Sequence, residues 1–383
     1  MRSLVKTTVS LVLVSLLTGC GFWGGKKDEV RPAPLVDFQT ESQVQVVWSA
    51  QVGSGPGRAF HEMTPSIDAD RIYAADSKGV VSGFDRMTGA RAWTQNLKEP
   101  IIGGVGAGFG QVILSSRSGD VIALSGNDGS VLWRTAVGSE VTAQAQLNRE
   151  LVVVQLVSGR IVALDRQTGA LRWTFDAQMP ALTLRGTGTP LLTSDVTFAG
   201  FANGKLIAIS NANGAMIWEQ RVSLAEGRSE LERMADIDGR PLILNNVLYV
   251  VGYQGRLLAI NPFNSQILWA QDISSHRGLA TGFGNIYVAA DNDRVHALDA
   301  ATSASVWTQT GLDNRQLSTP STLASAVVVA DQEGYLHFMS QVDGRFVARY
   351  RVDSSGVRGD MLVRDDILYV LSNAGRLMAL RLN

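Results

Sequence analysis

The chain has 383 residues, 45% of them hydrophobic and 18% charged, with a formal net charge of −1 and one cysteine. This is globular composition: it excludes a disordered or collagen-like chain, an intrachain disulfide and a multi-cysteine zinc site, and it gives no basic footprint for nucleic acid. Eight tryptophans against seven tyrosines is an unusual ratio, and the tryptophan positions are the strongest clue to the fold.

The N-terminus reads as an address. Arg2 and Lys6 form a positive leader, and Val9 to Leu17 is a short apolar run. A stable bilayer span needs roughly 20 apolar residues, so this run is a signal-peptide core. Leu17-Thr18-Gly19-Cys20 comes next, and resembles the bacterial lipobox, after which the cysteine becomes the first mature residue and carries lipid. Residues 1–19 are therefore expected to be removed and Cys20 to be the site of lipid attachment, palmitate included. Several acyl chains on one residue suffice for stable anchoring. The next residue is Gly21, not Asp, which under the enterobacterial sorting rule favours the outer membrane. Residues 20–40 mix Gly, Pro and charge and are expected to be a flexible tether. No later stretch is a membrane-span candidate.

The remainder, 41–383, repeats. One unit runs Gly159-Arg160-Ile161-Val162-Ala163-Leu164-Asp165-Arg166-Gln167-Thr168-Gly169 and ends at Trp173. Units of the same length start at Gly79, Gly119, Gly204, Gly255 and Asp293 and end at Trp93, Trp133, Trp218, Trp269 and Trp307. A seventh starts at Gly334 but has Ala348 where the tryptophan belongs, and an eighth starts at Gly375 and meets the C-terminus. The mean spacing of about 42 residues matches a four-stranded propeller blade. The unit reads as a buried strand, a tight turn (Asp165-Arg166-Gln167-Thr168-Gly169 in the unit that starts at Gly159) and a strand that ends on the tryptophan. Two further strands precede it, as at 65–67 and 71–75, and Thr-Pro or Arg-Pro opens this pair at Thr64, Thr189, Arg240 and Thr319.

The ends complement each other. Trp48 lies on a strand with no unit before it, and the C-terminal unit has no tryptophan strand after it. An open toroid would expose unpaired edges, so the N-terminal strand is expected to pair with the C-terminal strands. The predicted fold is all-β: one eight-bladed β-propeller of four-stranded antiparallel blades, closed by both ends of the chain. The tryptophans at 48, 93, 133, 173, 218, 269 and 307 are expected to wedge between blades, with the indole N–H tied to the next blade.

The unit Ala-Leu-Asp-x-x-Thr-Gly-x-x-x-Trp resembles the tryptophan-docking repeat of quinoprotein dehydrogenases. Those enzymes add chamber-forming insertions, calcium ligands and often an adjacent-cysteine disulfide. Here no insertion is that large and no cysteine remains beyond Cys20, so no cofactor or metal site is expected; a ligand-binding or degenerate quinoprotein-type propeller is the alternative. The chain is more closely similar to the BamB family, propeller lipoproteins of the outer-membrane β-barrel assembly (Bam) machinery. The likeness covers the whole chain and includes 181–186, Asp236-Ile237-Asp238, 334–336, 343–348 and 352–356. It implies a non-enzymatic, lipid-anchored scaffold on the periplasmic face of the outer membrane. Its partner would be BamA and, through it, the other Bam lipoproteins, with nascent β-barrel proteins as a further class. By this resemblance Leu182, Leu184, Arg185, Asp236 and Asp238 belong to the BamA-binding surface.

Linker lengths lead to the same place. From each tryptophan position to the next unit, three stretches are long: 48 to 79, 173 to 204 and 218 to 255. In an antiparallel four-stranded blade all such linkers emerge on one face, and the last two flank a single blade. Extra loop length on a rigid scaffold is where function concentrates. Leu182 and Leu184 beside Arg185 suit a protein interface. A short helix is expected over 229–235, with Leu231 and Met234 inward, and Asp236 and Asp238 can alternatively cap a turn before Gly239. The linker around 53–58 reads as a flexible loop. Of the four histidines, His296 and His337 hold the same position in successive units and are expected to lie near each other; no HExxH, GxSxG or P-loop pattern occurs.

Overall fold

The structure, a computed structural model, describes residues 31–57, 62–180, 187–223 and 235–383. Residues 32–383 form one compact unit. The described residues make eight four-stranded antiparallel sheets. Blades 1 to 7 span 66–96, 106–136, 146–176, 191–221, 242–271, 279–309 and 321–351. Blade 8 combines Leu362–Arg364, Ile367–Leu371 and Arg376–Leu382 with Val44–Gln51 from the other end of the chain. Val44 pairs with Leu382 and Gln51 with Arg376, so the expected closure of the ring by both termini is borne out.

Blade 3 shows why the sequence takes this form. Its strands are Gln146–Leu147, Leu151–Gln155, Arg160–Asp165 and Leu171–Asp176. The two middle strands are sandwiched between neighbouring blades and buried on both faces, which is why they read as continuous aliphatic runs rather than alternating ones. In the outermost strand Trp173 alone is buried. The innermost strands of successive blades crowd one another around the axis. A Cβ on Gly106 would stand 2.4 Å from the Ala145 carbonyl, so this position of the Gly-rich stretch 103–108 is glycine for lack of room.

The core is divided among the eight seams between blades, one apolar cluster to each. Each of the seven repeat tryptophans projects into a seam and donates its indole N–H across it. Trp48 donates to the carbonyl of Arg86, Trp93 to Gly126, Trp133 to Arg166 and Trp173 to Asn211, at 2.7–2.9 Å. Trp218 donates to Pro262, Trp269 to Ala300 and Trp307 to Gln341, at 2.9–3.0 Å. Every acceptor lies in the turn between the third and fourth strands of the next blade.

That turn builds itself. The Asp165 carboxylate accepts the N–H groups of Gln167 and Thr168 and the Thr168 hydroxyl, and Gly169 closes the turn at φ +71°. Glycine is required twice over here: for the left-handed backbone, and because a Cβ would stand 2.6 Å from the Trp133 ring. Repeat turn and repeat tryptophan are two halves of one contact.

Three expectations are refined. Of the stretch read as tether, residues 33–40 lie against blade 7 and the linker that leads into it, and Glu41 continues the contact. Arg315 donates to the Ala33 carbonyl, Arg349 to the Val36 carbonyl, and Glu41 pairs with Arg345. The segment 53–58, read as flexible, is pinned over its described residues 53–57: Val52 just before it donates to the Gly375 carbonyl, Gly57 to the Asn373 carbonyl, and Ser54 to Asp76. His296 and His337 have separate partners, Thr308 and the buried Asp331, because their side chains turn to different neighbours within their own blades. Cys20 lies outside the described residues.

Candidate partner-binding face and channel mouth

All linkers from a fourth strand to the next blade emerge on one face, together with the turns between second and third strands. There they ring the mouth of the central channel, a cavity of about 610 Å³. Thr64, Gln144, Thr189, Arg240, Thr319 and Asp360, each just before an innermost strand, line it. Arg277, entering blade 6, forms an ion pair with Glu62, entering blade 1. Those blades are not ring neighbours, so the pair spans the mouth. It was not legible in the sequence, because the two residues are 215 positions apart and belong to no shared motif.

The two linkers flanking blade 4 are joined, as their succession in the ring requires. Asn203, in blade 4, donates its side-chain amide to the Gln178 carbonyl of the first linker at 2.8 Å and bridges to Ala235 of the second. Gly188 approaches the second linker so closely that a Cβ there would lie 2.4 Å from the Ile237 carbonyl. Leu182, Leu184 and Arg185 fall outside the described residues, as does the expected helix except for Ala235.

The Asp236-Ile237-Asp238 segment is described in full. Ile237 is completely buried in the seam between blades 4 and 5, against Phe198, Leu206 and Leu248. This anchors the segment and throws the aspartates to either side. Asp236 is 4% exposed; one carboxylate oxygen accepts the Ile237 N–H at 2.8 Å and the other has no hydrogen-bond partner. Its backbone pairs with Tyr253 of blade 5. Withdrawal from water pushes its pKa up to about 6. Asp238 keeps some solvent contact but sits deep in the mouth. Loss of hydration, reinforced by the negative charges of Asp236 and Glu62 and opposed by His276 and Arg277, pushes its pKa up to about 8. Of the two, Asp238 is the more exposed, while Asp236 lies beneath the linker.

Among the described residues, no group of three or more His, Cys, Asp or Glu side chains is placed to hold a metal ion. His337 and Asp331 form a hydrogen-bonded pair at 2.8 Å, but both are fully buried and Arg315 satisfies the same carboxylate.

The family model described as outer membrane protein assembly factor BamB matches residues 77–309, well over half of the chain. The chain belongs to the BamB family. An outer membrane protein assembly factor BamB from Pseudomonas aeruginosa is 43% identical to this BamB-family chain over 374 residues, 98% of each protein. The crystal structure of BamB from Moraxella catarrhalis superposes with a TM-score of 0.82 at 28% identity, covering 88% of this chain and 100% of that one. A quinohemoprotein alcohol dehydrogenase from Comamonas testosteroni, at 14% identity and a TM-score of 0.68 over 88% of this chain and 76% of that one, shares the propeller fold.

Proposed function

We propose that this protein is a non-enzymatic scaffold of outer-membrane protein assembly, anchored through lipid on Cys20 to the periplasmic face of the outer membrane, and that it binds BamA. The contact surface is formed by Leu182, Leu184 and Arg185 on one linker and Asp238 on the next, with Asp236 holding the second linker in shape. The observation that carries the reading is the union of the two linkers around blade 4. Gln178, Asn203 and Ala235 tie them into one surface on the face where loop length concentrates. The assembly role is supported by the relatives, which are named as assembly factors over nearly the full length of both chains.

Affinity purification of the tagged protein from membranes tests it. Wild type should retain BamA, and Leu184→Ala with Arg185→Ala should lose it while keeping wild-type thermal stability. Retention by the double variant discards the site; failure of the wild type to retain BamA discards the partner.

A further inference from the structure

At one level of the central channel two blades break the repeat. Two positions before the innermost strand, six blades carry threonine, glycine or glutamine; blade 5 has Arg240 and blade 8 has Asp360. Both line the channel. Asp360 donates its backbone N–H to the Thr64 hydroxyl at 3.0 Å, which fixes its place in the wall and leaves its carboxylate unused. Among the described residues neither side chain forms an ion pair or a hydrogen bond. The channel walls strip water from Arg240 and lower its pKa, and the charge of Asp360 opposes that only in part. The neighbouring pair at the mouth, Arg277 and Glu62, satisfies itself. Arg240 and Asp360 are thus two opposite charges in one cavity, held too far apart to neutralise each other directly.

Two residues further along, the wall turns apolar, with half-buried Leu191, Leu242 and Leu362 lining it. The arginine fork matches a carboxylate, and a carboxylate such as Asp360 matches an ammonium group. A simple anion meets repulsion from Asp360 and a simple cation meets it from Arg240, whereas a molecule carrying both charges satisfies both residues. The volume of about 610 Å³ is that of a small-ligand site. We propose that the channel binds a short zwitterionic peptide with an apolar body, its carboxylate on Arg240, its ammonium on Asp360 and its side chains against Leu191, Leu242 and Leu362. The end of a long polypeptide brings only one of the two charges and is selected against.

Isothermal titration calorimetry of the mature chain lacking lipid, with the dipeptide Leu-Leu as probe, tests this. Saturable binding by wild type is expected. Blocking either end of the probe, as N-acetyl-Leu-Leu or Leu-Leu amide, should weaken it about tenfold, as loss of a charge-assisted hydrogen bond does. Arg240→Gln should bind Leu-Leu about tenfold more weakly and no longer distinguish it from its amide. Asp360→Asn should no longer distinguish it from the N-acetyl form. Neither side chain has a partner to lose, so both variants should melt with wild type. No saturable binding by wild type, or variants that discriminate between the probes as wild type does, overturns the proposal. Equal binding of N-acetyl-Leu-Leu and Leu-Leu by wild type also overturns it, since Arg240 would then be a plain carboxylate site open to any chain end. Retention of BamA is a separate readout, and its outcome leaves the channel site untouched.

Discussion

Seven seams of the ring and the eighth are closed by different means. In seven, an indole on the outer strand of one blade packs against the turn between the third and fourth strands of the next and donates its N–H there. Between blades 7 and 8 the residue is Ala348. Blade 8 has no such turn, because its third strand ends at Leu382, one residue before the C-terminus, and its fourth begins at Val44. The tryptophan is missing where its dock is missing. In its place Val347, Ala348, Val44 and Leu382 share an aliphatic cluster, and Gln43 and Asn383 exchange backbone hydrogen bonds. Residues 36–42 seal the outside. A repeat departs from its pattern where the topology departs from it, so the exception marks the point of ring closure rather than decay of the motif.

The largest effect expected is at a tryptophan seam. Trp133→Ala should cost about 3–5 kcal/mol, the usual range for removing a large buried aromatic. The Arg166 carbonyl also loses its donor. The urea midpoint measures this, and a cost below about 1 kcal/mol would mean that the seam is held by its aliphatic residues alone. The converse substitution is the sharper trial. Ala348→Trp puts the repeat residue back at a seam with no turn to receive it, and should destabilise by about 1–3 kcal/mol through overpacking. A gain in stability would break the account of the exception.

Removing the outer seal comes next. Phe38→Ala with Arg345→Ala should cost about 1–2 kcal/mol, mostly through lost apolar packing, since exposed ion pairs contribute little. Hydrogen exchange should then quicken in Phe346–Arg351 and Arg376–Leu382 and stay unchanged in Arg160–Asp165. Uniform acceleration would show that the seams do not open independently. The ion pair of this seal also has a pH signature. Glu41 has its pKa lowered, chiefly by its hydrogen bond to Arg345. Its contribution is therefore present above the ordinary carboxylate pKa and lost as pH falls through the depressed one. Wild type should melt above Glu41→Gln at neutral pH, and the gap should close as pH falls below the ordinary carboxylate range. A gap that persists in acid would assign the effect to something other than the charge.

Most of the ring was legible in the sequence, because a propeller is one local contact repeated. The spacing from Gly159 to Trp173 encodes a strand, an Asp-capped turn and a strand, and the structure returns all three. Closure was legible from Trp48 and the truncated last unit. The hidden features depend on contacts between distant stretches with no motif. Residues 36–40 read as tether because Pro, Asp and Gln around Phe38 look like linker composition, and the register slip at Val347, whose carbonyl accepts from Glu41 and Ser42, helps create their seat. The Arg277–Glu62 pair is set by the ring's diameter, which no local pattern carries. Within the candidate site, the resemblance singled out Asp236 and Asp238; that Ile237 between them is buried in a seam and that Asp236 lies buried against the Asp236–Tyr253 bridge depend on contacts the sequence does not announce.

The smallest expected effect tests whether the turn is as important as the indole it receives. Five of the seven docks place glycine on the tryptophan: Gly89, Gly129, Gly169, Gly214 and Gly344, all with φ near +70° to +76°. Ser265 and Ser303 hold the same place with φ of +60° and +64°, a conformation that costs a residue bearing Cβ about 1–2 kcal/mol. Gln271 hydrogen-bonds the Ser303 hydroxyl, which offsets part of that strain. The Ser265 hydroxyl makes no such bond among the described residues, so Ser265→Gly isolates the backbone contribution. Relief of strain, less the entropy glycine loses on folding, should raise stability by about 0.5 kcal/mol. Calorimetry at two scan rates measures it. A loss instead would mean that the Ser265 side chain packs on Trp218 well enough to outweigh its backbone, and that docks built without glycine reach the same seal by a different balance.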